Sequence, residues 1–593
     1  MGKDVELQFT VEEQELNKAT VRRLDFILLP FLALLFLFNS LDKSNIGNAE
    51  TANFTNDVGL AKSDLNTAVA VFYFFFVTLQ PIGAAFGRRY GMVRWVPGCM
   101  TIWGVCTALH AFVQTKWQLI TLRALIAILE AGFYPVAVSY LSLFYTRFEF
   151  GRRLAIFYGQ SAVAGAIGGV LAFAIFSRFS FNHEQGEGES KDNHSWKSWQ
   201  ILFLIEGCCT IVLAAAGFLW LPHNARTAWF LNPEQREWAE ERIRRDRALA
   251  HADAKTYAKA SPADVDDNAE ESNSKYPRTP RSSSSNESQT LLPRSSSPSS
   301  DSSPVSLTDD RGLTSGAVLA ALTDPKIPYL LICNILSAIP ATAFSIFLPL
   351  VLRPLLPSHA TDPNNPSSTT NTAALTNLLA APPYILGAVA LWAFTVWSDR
   401  IRARLIPLLA SLAILLIGLT ITIAGWGWAI PHYLALNIIL LGTYTTSPLA
   451  VAWLANNTPH PGKRAIVLGI NGWGNFAGVI AAMLFRPRWA PGYKVPFAVT
   501  GMCVAVAWAG YVGFRVWVVS VNERKRRSVE GRSEGNEGSF GCAKGGPGWR
   551  DRVLTGLERW VERRGWQKSS EWLGRTRREA RQADEGSGWV YSL

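Results

Sequence analysis

Glu130 sits about halfway along an apolar run from Trp117 to Leu141, seven residues after Arg123. On insertion scales, charges at mid-membrane depth each cost roughly 2.5–3.5 kcal/mol, so they normally border a protein-lined, hydrated cavity. Seven residues is close to two helical turns, and this spacing places Arg123 and Glu130 on one helix face. A second group of polar residues, Phe38-Asn-Ser-Leu-Asp42-Lys43-Ser-Asn45, closes the first apolar run. An adjacent acid and base there can work in a polar passage or snorkel to interfacial water. The chemistry these types allow is ion pairing, proton binding and recognition of a small charged solute.

The elements that carry these residues are membrane spans. The chain has 593 residues, 49% hydrophobic and only 17% charged, below the roughly 25% charged of soluble proteins. Twelve apolar runs have the length of a membrane-crossing helix. The first six cover 24–44, 65–86, 92–113, 117–141, 153–176 and 199–221. The second six cover 326–352, 374–397, 404–424, 428–453, 464–485 and 495–519. The expected fold is all-α and polytopic, with twelve transmembrane helices in two six-helix bundles and a midplane site between them. The divisions are 1–23, an N-terminal segment; 24–221, the first bundle; 222–325, a central loop; 326–519, the second bundle; and 520–593, a tail.

The net charge of +11 is concentrated in short loops and tails beside the spans. It fits the positive-inside rule better than a nucleic-acid partner, and it places both termini in the cytoplasm. The sequons at Asn53 and Asn193 fall in loops expected outside and are candidate glycosylation sites; those at Asn286 and Asn456 fall inside. Residues 222–250 read as a charged amphipathic helix starting near Pro233. Residues 255–312 are Ser- and Pro-rich and are expected to be disordered. In the tail, 548–582 alternates basic residues with tryptophans, as a helix on an anionic membrane surface would. The cysteines lie mainly in apolar runs without metal-ligand spacing, and they read as small hydrophobes. No nucleotide-binding loop or nucleophile elbow is present, so neither ATP-driven pumping nor an enzyme is expected. No cofactor is expected, and the protein is expected to be a monomer in the lipid bilayer.

The stretches Arg23-Leu-Asp-Phe-Ile-Leu-Leu-Pro30, Leu41-Asp42-Lys43-Ser-Asn45 and Arg123-Ala-Leu-Ile-Ala-Ile-Leu-Glu130-Ala-Gly-Phe-Tyr-Pro135 resemble the fungal anion:cation symporter family. This is the allantoate permease-like branch of the major facilitator superfamily. Ala381-Pro-Pro-Tyr384, Ser398-Asp-Arg400, Trp453-Leu-Ala-Asn-Asn457 and Gly472-Trp-Gly-Asn475 continue the resemblance through the second half. It implies the major facilitator fold and secondary active transport of a small carboxylate, such as allantoate or a vitamin, with protons. It also implies a plasma-membrane location. The family's first-span acid–base pair falls on Asp42 and Lys43, and its fourth-span arginine and acid on Arg123 and Glu130.

On this resemblance Asp42 and Glu130 are the proton-coupling acids, and Lys43 and Arg123 contact the substrate. Gln160 and Asn475 are candidate hydrogen-bond donors to the substrate. Arg88 and the pair Asp399–Arg400 are candidate gating residues. Physical chemistry agrees in part: a carboxylate in a low-dielectric cavity needs a fixed cation, which Lys43 supplies. Two departures stand out. Arginine is usual at position 43, and lysine lacks its bidentate fork. The loop after the second span also lacks the acid expected near Gly87. Competing expectations are a permanent Arg123–Glu130 ion pair that merely holds the bundle, an exporter of an acidic metabolite, and a nutrient sensor without flux. Glu206 is expected to partner a nearby base, and His110 to lie at the membrane interface.

Overall fold

A computed structural model describes residues 10–180, 196–260, 321–322, 324–356, 366–401, 403–424, 429–458 and 461–534. The described residues are almost entirely helical. Helix α1 (Val11–Arg23) runs through a π-helical turn at Leu24–Leu28 into α2 (Leu29–Thr51). Next come α3 (Lys62–Tyr90), α4 (Met92–Leu109), α5 (Lys116–Glu130), α6 (Phe133–Leu141), α7 (Arg147–Ser180), α8 (Ser198–Trp220) and α9 (Pro233–Ala260). The second half has α10 (Lys326–Leu352), α11 (Pro366–Ile401), α12 (Leu405–Ala424) and α13 (Ala429–Thr443). It ends with α14 (Thr446–Asn456), α15 (Pro461–Asn471), α16 (Ala477–Leu484) and α17 (Lys494–Glu534).

Local chemistry starts and stops these helices. Thr10 and Glu13 form a capping box: the Glu13 amide donates to Thr10 Oγ1 at 3.3 Å, and the Thr10 amide to Glu13 Oε2 at 3.0 Å. Thr115 and Gln118 repeat the device at the start of α5. Between α3 and α4 the chain reverses at Gly91, whose φ of 79° lies where a side chain would be strained.

Among the described residues, eleven helical segments are long and apolar enough to cross a membrane. The expected span 92–113 is not among them. Its helix, α4, is 18 residues long and carries Arg94, two tryptophans and Pro97, which dilute its apolarity. It packs closely along α8 all the same. Three spans that read as unbroken are interrupted. The fourth breaks at Ala131–Gly132 between α5 and α6, the tenth at Tyr444–Thr445 between α13 and α14, and the eleventh passes through a 3-10 segment at Gly472–Phe476. Large apolar side chains such as Ile102, Val212, Leu219, Trp392, Ile430 and Met502 point outward, as a hydrocarbon surround requires.

The two halves meet along α2 with α10, α3 with α16, and α7 with α11. At one end they are tied by polar contacts. Asn66 Nδ2 donates to the Ala482 and Phe485 carbonyls at 2.8 and 2.9 Å. Asn377 Nδ2 donates to Thr51 Oγ1 at 2.8 Å, and Arg353 Nη2 to Asn53 Oδ1 at 3.3 Å. We call this the far end.

The opposite, collar end is organised by Arg242 of α9, whose side chain is fully buried. Its Nη1 donates to both Glu149 carboxylate oxygens and to Asn17 Oδ1, each at 3.0 Å, and its Nη2 donates to the Phe144 carbonyl. Arg245 adds an ion pair to Glu13 at 3.0 Å. Arg153 clasps Asp25 with two bonds of 2.7 Å. Helix α9 therefore braces α1 against the start of α7. It continues to Ala260, so 255–260 are helical where disorder is expected from composition. The rest of the Ser-rich segment, 261–312, and the whole 548–582 stretch lie outside the described residues.

Candidate functional site

The first span supplies the centre of the site. In α2, Asn39, Asp42, Asn45 and Asn48 are all buried, a polar stripe inside an otherwise apolar helix. The spacing of three residues keeps the stripe on one side. Lys43 stands beside it, and its Nζ lies 3.3 Å from Glu130 Oε2. The same ammonium donates to Asn39 Oδ1 at 2.9 Å and stands 4.4 Å from the centre of the Phe76 ring.

Glu130 ends α5, and its burial depends on a close helix crossing. A Cβ on Gly132 would fall 2.6 Å from the Gly83 backbone, and one on Gly83 would fall 2.6 Å from Gly132. Only glycines permit this approach of α3 to the break after Glu130. The crossing sets the carboxyl among protein atoms and out of lipid, with no exposed surface.

Arg123 is buried too, but its partner is not Glu130. The expected Arg123–Glu130 ion pair is absent among the described residues. Arg123 Nη1 instead donates to the Asp42 backbone carbonyl at 3.0 Å. Both side chains of α5 meet α2, but at different groups. Lys43 takes the acid, and the α2 backbone takes the guanidinium. The Asp42 carboxylate accepts from Thr107 Oγ1 at 3.3 Å. Glu206 of α8 completes the group: it is buried, and its neighbours are Asn45, Asp42 and Arg123.

The cluster therefore sets three carboxyl groups (Asp42, Glu130, Glu206) against two cations (Lys43, Arg123). Away from water it reaches electrical balance only with one proton added. Several of its polar atoms have no hydrogen-bond partner, including Glu130 Oε1, Asp42 Oδ2 and Arg123 Nε. Unpaired buried polar atoms are costly, and they mark where a proton or solute gains most by binding.

The other expected residues lie elsewhere. Gln160 donates to its own helix at the Ile156 carbonyl, 3.2 Å away, and Asn475 to the Gly472 carbonyl at 3.0 Å. Neither amide joins the charged cluster. Asp399 pairs with Arg404, whereas Arg400 is exposed. The Arg88 side chain and Asn193 lie outside the described residues. Asn53 is half-buried with positive φ, and Phe54 and Thr55 of its sequon are buried. Thr55 Oγ1 donates to Glu50 at 2.7 Å. His110 is not interfacial. It is fully buried, its Nδ1 donates to the Cys106 carbonyl at 2.8 Å, and its ring lies 5.2 Å from that of Phe203.

Two contributors were not singled out from the sequence. Asn39 is one helical turn before Lys43, and that spacing was a usable signal. Thr107 had none, because threonine is common in spans. Among the described residues, no group of His, Cys, Asp and Glu is placed to hold a metal ion.

The fold and the sequence both have known counterparts. The chain can be superposed on the xylose transporter XylE from E. coli, in a partially occluded inward open conformation, with a TM-score of 0.51 at 12% identity. That match covers 82% of this chain and 96% of that one. A bacterial homolog to the human lysosomal transporter Spinster, inward-facing and occupied, matches with a TM-score of 0.50 at 15% identity, covering 82% and 95%. By sequence, the major facilitator-type transporter hxnP of Emericella nidulans is 26% identical, over 88% of this chain and 89% of its own. The high-affinity nicotinic acid transporter of Saccharomyces cerevisiae is also 26% identical, over 82% and 75%. An uncharacterized transporter of Schizosaccharomyces pombe is 27% identical, over 89% and 88%. The family model of the Major Facilitator Superfamily matches residues 32–351, more than half of the chain. This multi-pass membrane protein therefore belongs to the Major Facilitator Superfamily and is a transporter, not an enzyme.

Proposed function

We propose that the chain moves a small organic anion together with a proton, as a symporter of the allantoate permease-like branch. The observation that carries this reading is the buried contact of Lys43 with Glu130. A substrate carboxylate and Glu130 compete for one ammonium. A proton on Glu130 removes the competitor and frees Lys43 for the substrate. Proton and anion then favour the same state, which is the condition for coupling. Arg123 holds the α2 backbone at Asp42 and adds positive potential, while Asp42 and Glu206 are further proton acceptors. The similarity to a nicotinic acid transporter supports a carboxylate as cargo.

In this reading the two sets of six helices rock about the cluster, with the far end outside the cell and the collar end in the cytoplasm of a plasma-membrane protein. Arg88, Asp399 and Arg400 belong to gating at the collar end. Gln160 and Asn475 reach substrate only when the helices rearrange. Asn53 and Asn193 are the acceptors for any glycan added before folding.

A counterflow screen of purified protein in vesicles tests the reading. Labelled carboxylates exchange and their neutral amides do not, and Lys43→Ala abolishes exchange. Equal exchange of acids and amides, with Lys43→Ala silent, defeats the anion assignment.

A further inference from the structure

Helix α1 continues the first span without a break, so the exposed face of the two forms one stripe. Leu34, Pro30, Phe26, Arg22 and Lys18 follow at four-residue steps, and all are exposed. Each is the helix-surface neighbour of the next. The stripe is apolar as far as Phe26, which is 72% exposed, and basic from Arg22 outward. That change marks the membrane surface: a bare phenyl ring belongs in hydrocarbon and a guanidinium among headgroups.

A second group of residues marks the same level. Trp220, at the end of α8, stacks on Phe31 with ring centres 5.7 Å apart. Trp229 is 52% exposed and stands edge-on to Trp220 at 4.8 Å. Its Nε1 donates to the Trp220 carbonyl at 3.1 Å. Half-exposed indoles, apolar on one side and hydrogen-bonded on the other, are the side chains of a bilayer interface.

Arg22 and Lys18 border an open groove of about 380 Å³ between α1 and the start of α7. Two acids also line it, but both are engaged: Asp25 by Arg153 at 2.7 Å and Glu149 by Arg242 at 3.0 Å. Among the described residues, Arg22 and Lys18 have no ion-pair partner. Arg22 has only the Phe26 ring, whose centre is 5.9 Å from its guanidinium carbon. The groove therefore keeps two uncompensated positive charges. Glu15, an acid, follows within one turn and ends the basic patch. By the helix rise, Arg22 lies about 6 Å and Lys18 about 12 Å outward of Phe26. A headgroup layer is roughly 5–7 Å thick. Arg22 thus stands at phosphodiester depth and Lys18 just beyond it.

We propose that this groove holds an anionic phospholipid of the collar-side leaflet. Its phosphodiester meets Arg22, a second phosphate on its headgroup meets Lys18, and an acyl chain covers Phe26. A lipid fits better than a soluble anion because the two cations continue an apolar stripe that a soluble anion leaves bare. A headgroup held here fixes the depth of α1, and through the unbroken helix the depth of α2 and Lys43. The inference is independent of which solute the protein carries.

Native mass spectrometry of the full-length protein in mild detergent tests this. The probes are phosphatidylinositol 4-phosphate, phosphatidylglycerol and phosphatidylcholine with matched acyl chains. Each cation at the surface is expected to contribute about a fivefold preference. The phosphoinositide should therefore be retained about fivefold over phosphatidylglycerol, and phosphatidylglycerol about fivefold over phosphatidylcholine. Arg22→Gln is expected to lower retention of both anionic lipids about fivefold, and Lys18→Gln that of the phosphoinositide alone. Arg244→Gln removes the same charge from α9 outside the groove and should leave all three unchanged. Three results overturn the proposal. Equal loss in Arg244→Gln would mean general surface attraction. Equal retention of the three lipids, or an order untouched by Arg22→Gln and Lys18→Gln, would mean that the groove holds no headgroup. Displacement of the lipid by an equal concentration of free inositol 1,4-bisphosphate would mean a site for a soluble phosphate.

Discussion

The Lys43 ammonium is held by Glu130 at 3.3 Å on one side and by the Phe76 ring at 4.4 Å on another. The pair joins the first span to the fourth, with Asn39 as a third support for the ammonium at 2.9 Å. An ammonium offers one compact charge, so Glu130 and an entering carboxylate compete for it directly. A guanidinium has separate donors that serve two acceptors at once. Lys43→Arg is therefore expected to keep substrate binding but loosen its dependence on protons. The check is the pH profile of carboxylate binding: it falls with rising pH in the wild type and flattens in Lys43→Arg. A profile that is the same in both proteins contradicts the competition.

The far end is closed by contacts that tolerate no extra volume. A Cβ on Gly47 would fall 1.8 Å from the Ile346 carbonyl oxygen, which as backbone cannot step aside. Gly47→Ala is expected to push α2 from α10 and shift the population toward a conformer open at the far end. Overpacking of this kind costs about 1–3 kcal/mol, so a shift of roughly ten- to hundredfold in population is expected. Labelling of a cysteine placed at Ala482, which is buried at this end and contributes only its backbone carbonyl to the tie, measures it. Labelling should be slow in an otherwise wild-type protein and faster with Gly47→Ala, and unchanged labelling would contradict the role of this contact.

Much of this architecture can be read from residue types alone, because long apolar runs fix helices in a membrane regardless of tertiary detail. The four charges at 42, 43, 123 and 130 also stand out, since each is costly where it lies. Their partners do not. Which base meets Glu130 depends on how α2 rotates against α5, and no spacing within one helix reports that. Spacing along α5 alone favours Arg123. The break at Ala131–Gly132 is hidden by apolar sequence on both sides of it, whereas that at Tyr444–Thr445 lies in Thr443-Tyr-Thr-Thr-Ser-Pro448, a polar run ending in a proline that marks it.

The collar is legible only as an amphipathic helix with no stated partner. Its hub is Arg242, whose buried guanidinium serves Glu149, Asn17 and the Phe144 carbonyl. Arg242→Ala leaves Glu149 without its cation, and removing one member of a buried pair costs about 3 kcal/mol or more. Arg242→Lys is expected to recover only part of this, because one ammonium cannot make the same set of bonds. The melting temperature of detergent-purified protein is the measure. No change in Arg242→Ala would mean that α9 does not brace the bundle.

The collar also carries a pH response outside the membrane. The Thr10 amide, and after it Arg245, holds the Glu13 carboxyl below its ordinary value. A lowered value in the folded state gives stability that is present above the unfolded pKa and lost as pH falls through the folded one. Docking of α1 on α9 should therefore hold at neutral pH and weaken below about pH 4. Glu13 is half-buried at the surface and still in contact with water, so the effect is small and screened by salt. The protection of the α1 amides from hydrogen exchange, taken relative to the intrinsic rate at each pH, is expected to fall at acid pH in the wild type and already at neutral pH in Glu13→Gln. Exchange indifferent to both changes would contradict the assignment.

The central claim is that Glu130 takes up the proton that accompanies the anion. The direct measurement is accumulation of a labelled carboxylate in vesicles under an imposed pH gradient, set beside counterflow without a gradient. In the wild type both proceed. Glu130→Gln mimics the protonated acid, so counterflow is expected to persist while gradient-driven accumulation disappears. If Glu130→Gln still accumulates substrate against its gradient as the wild type does, the proton travels elsewhere and the account is wrong.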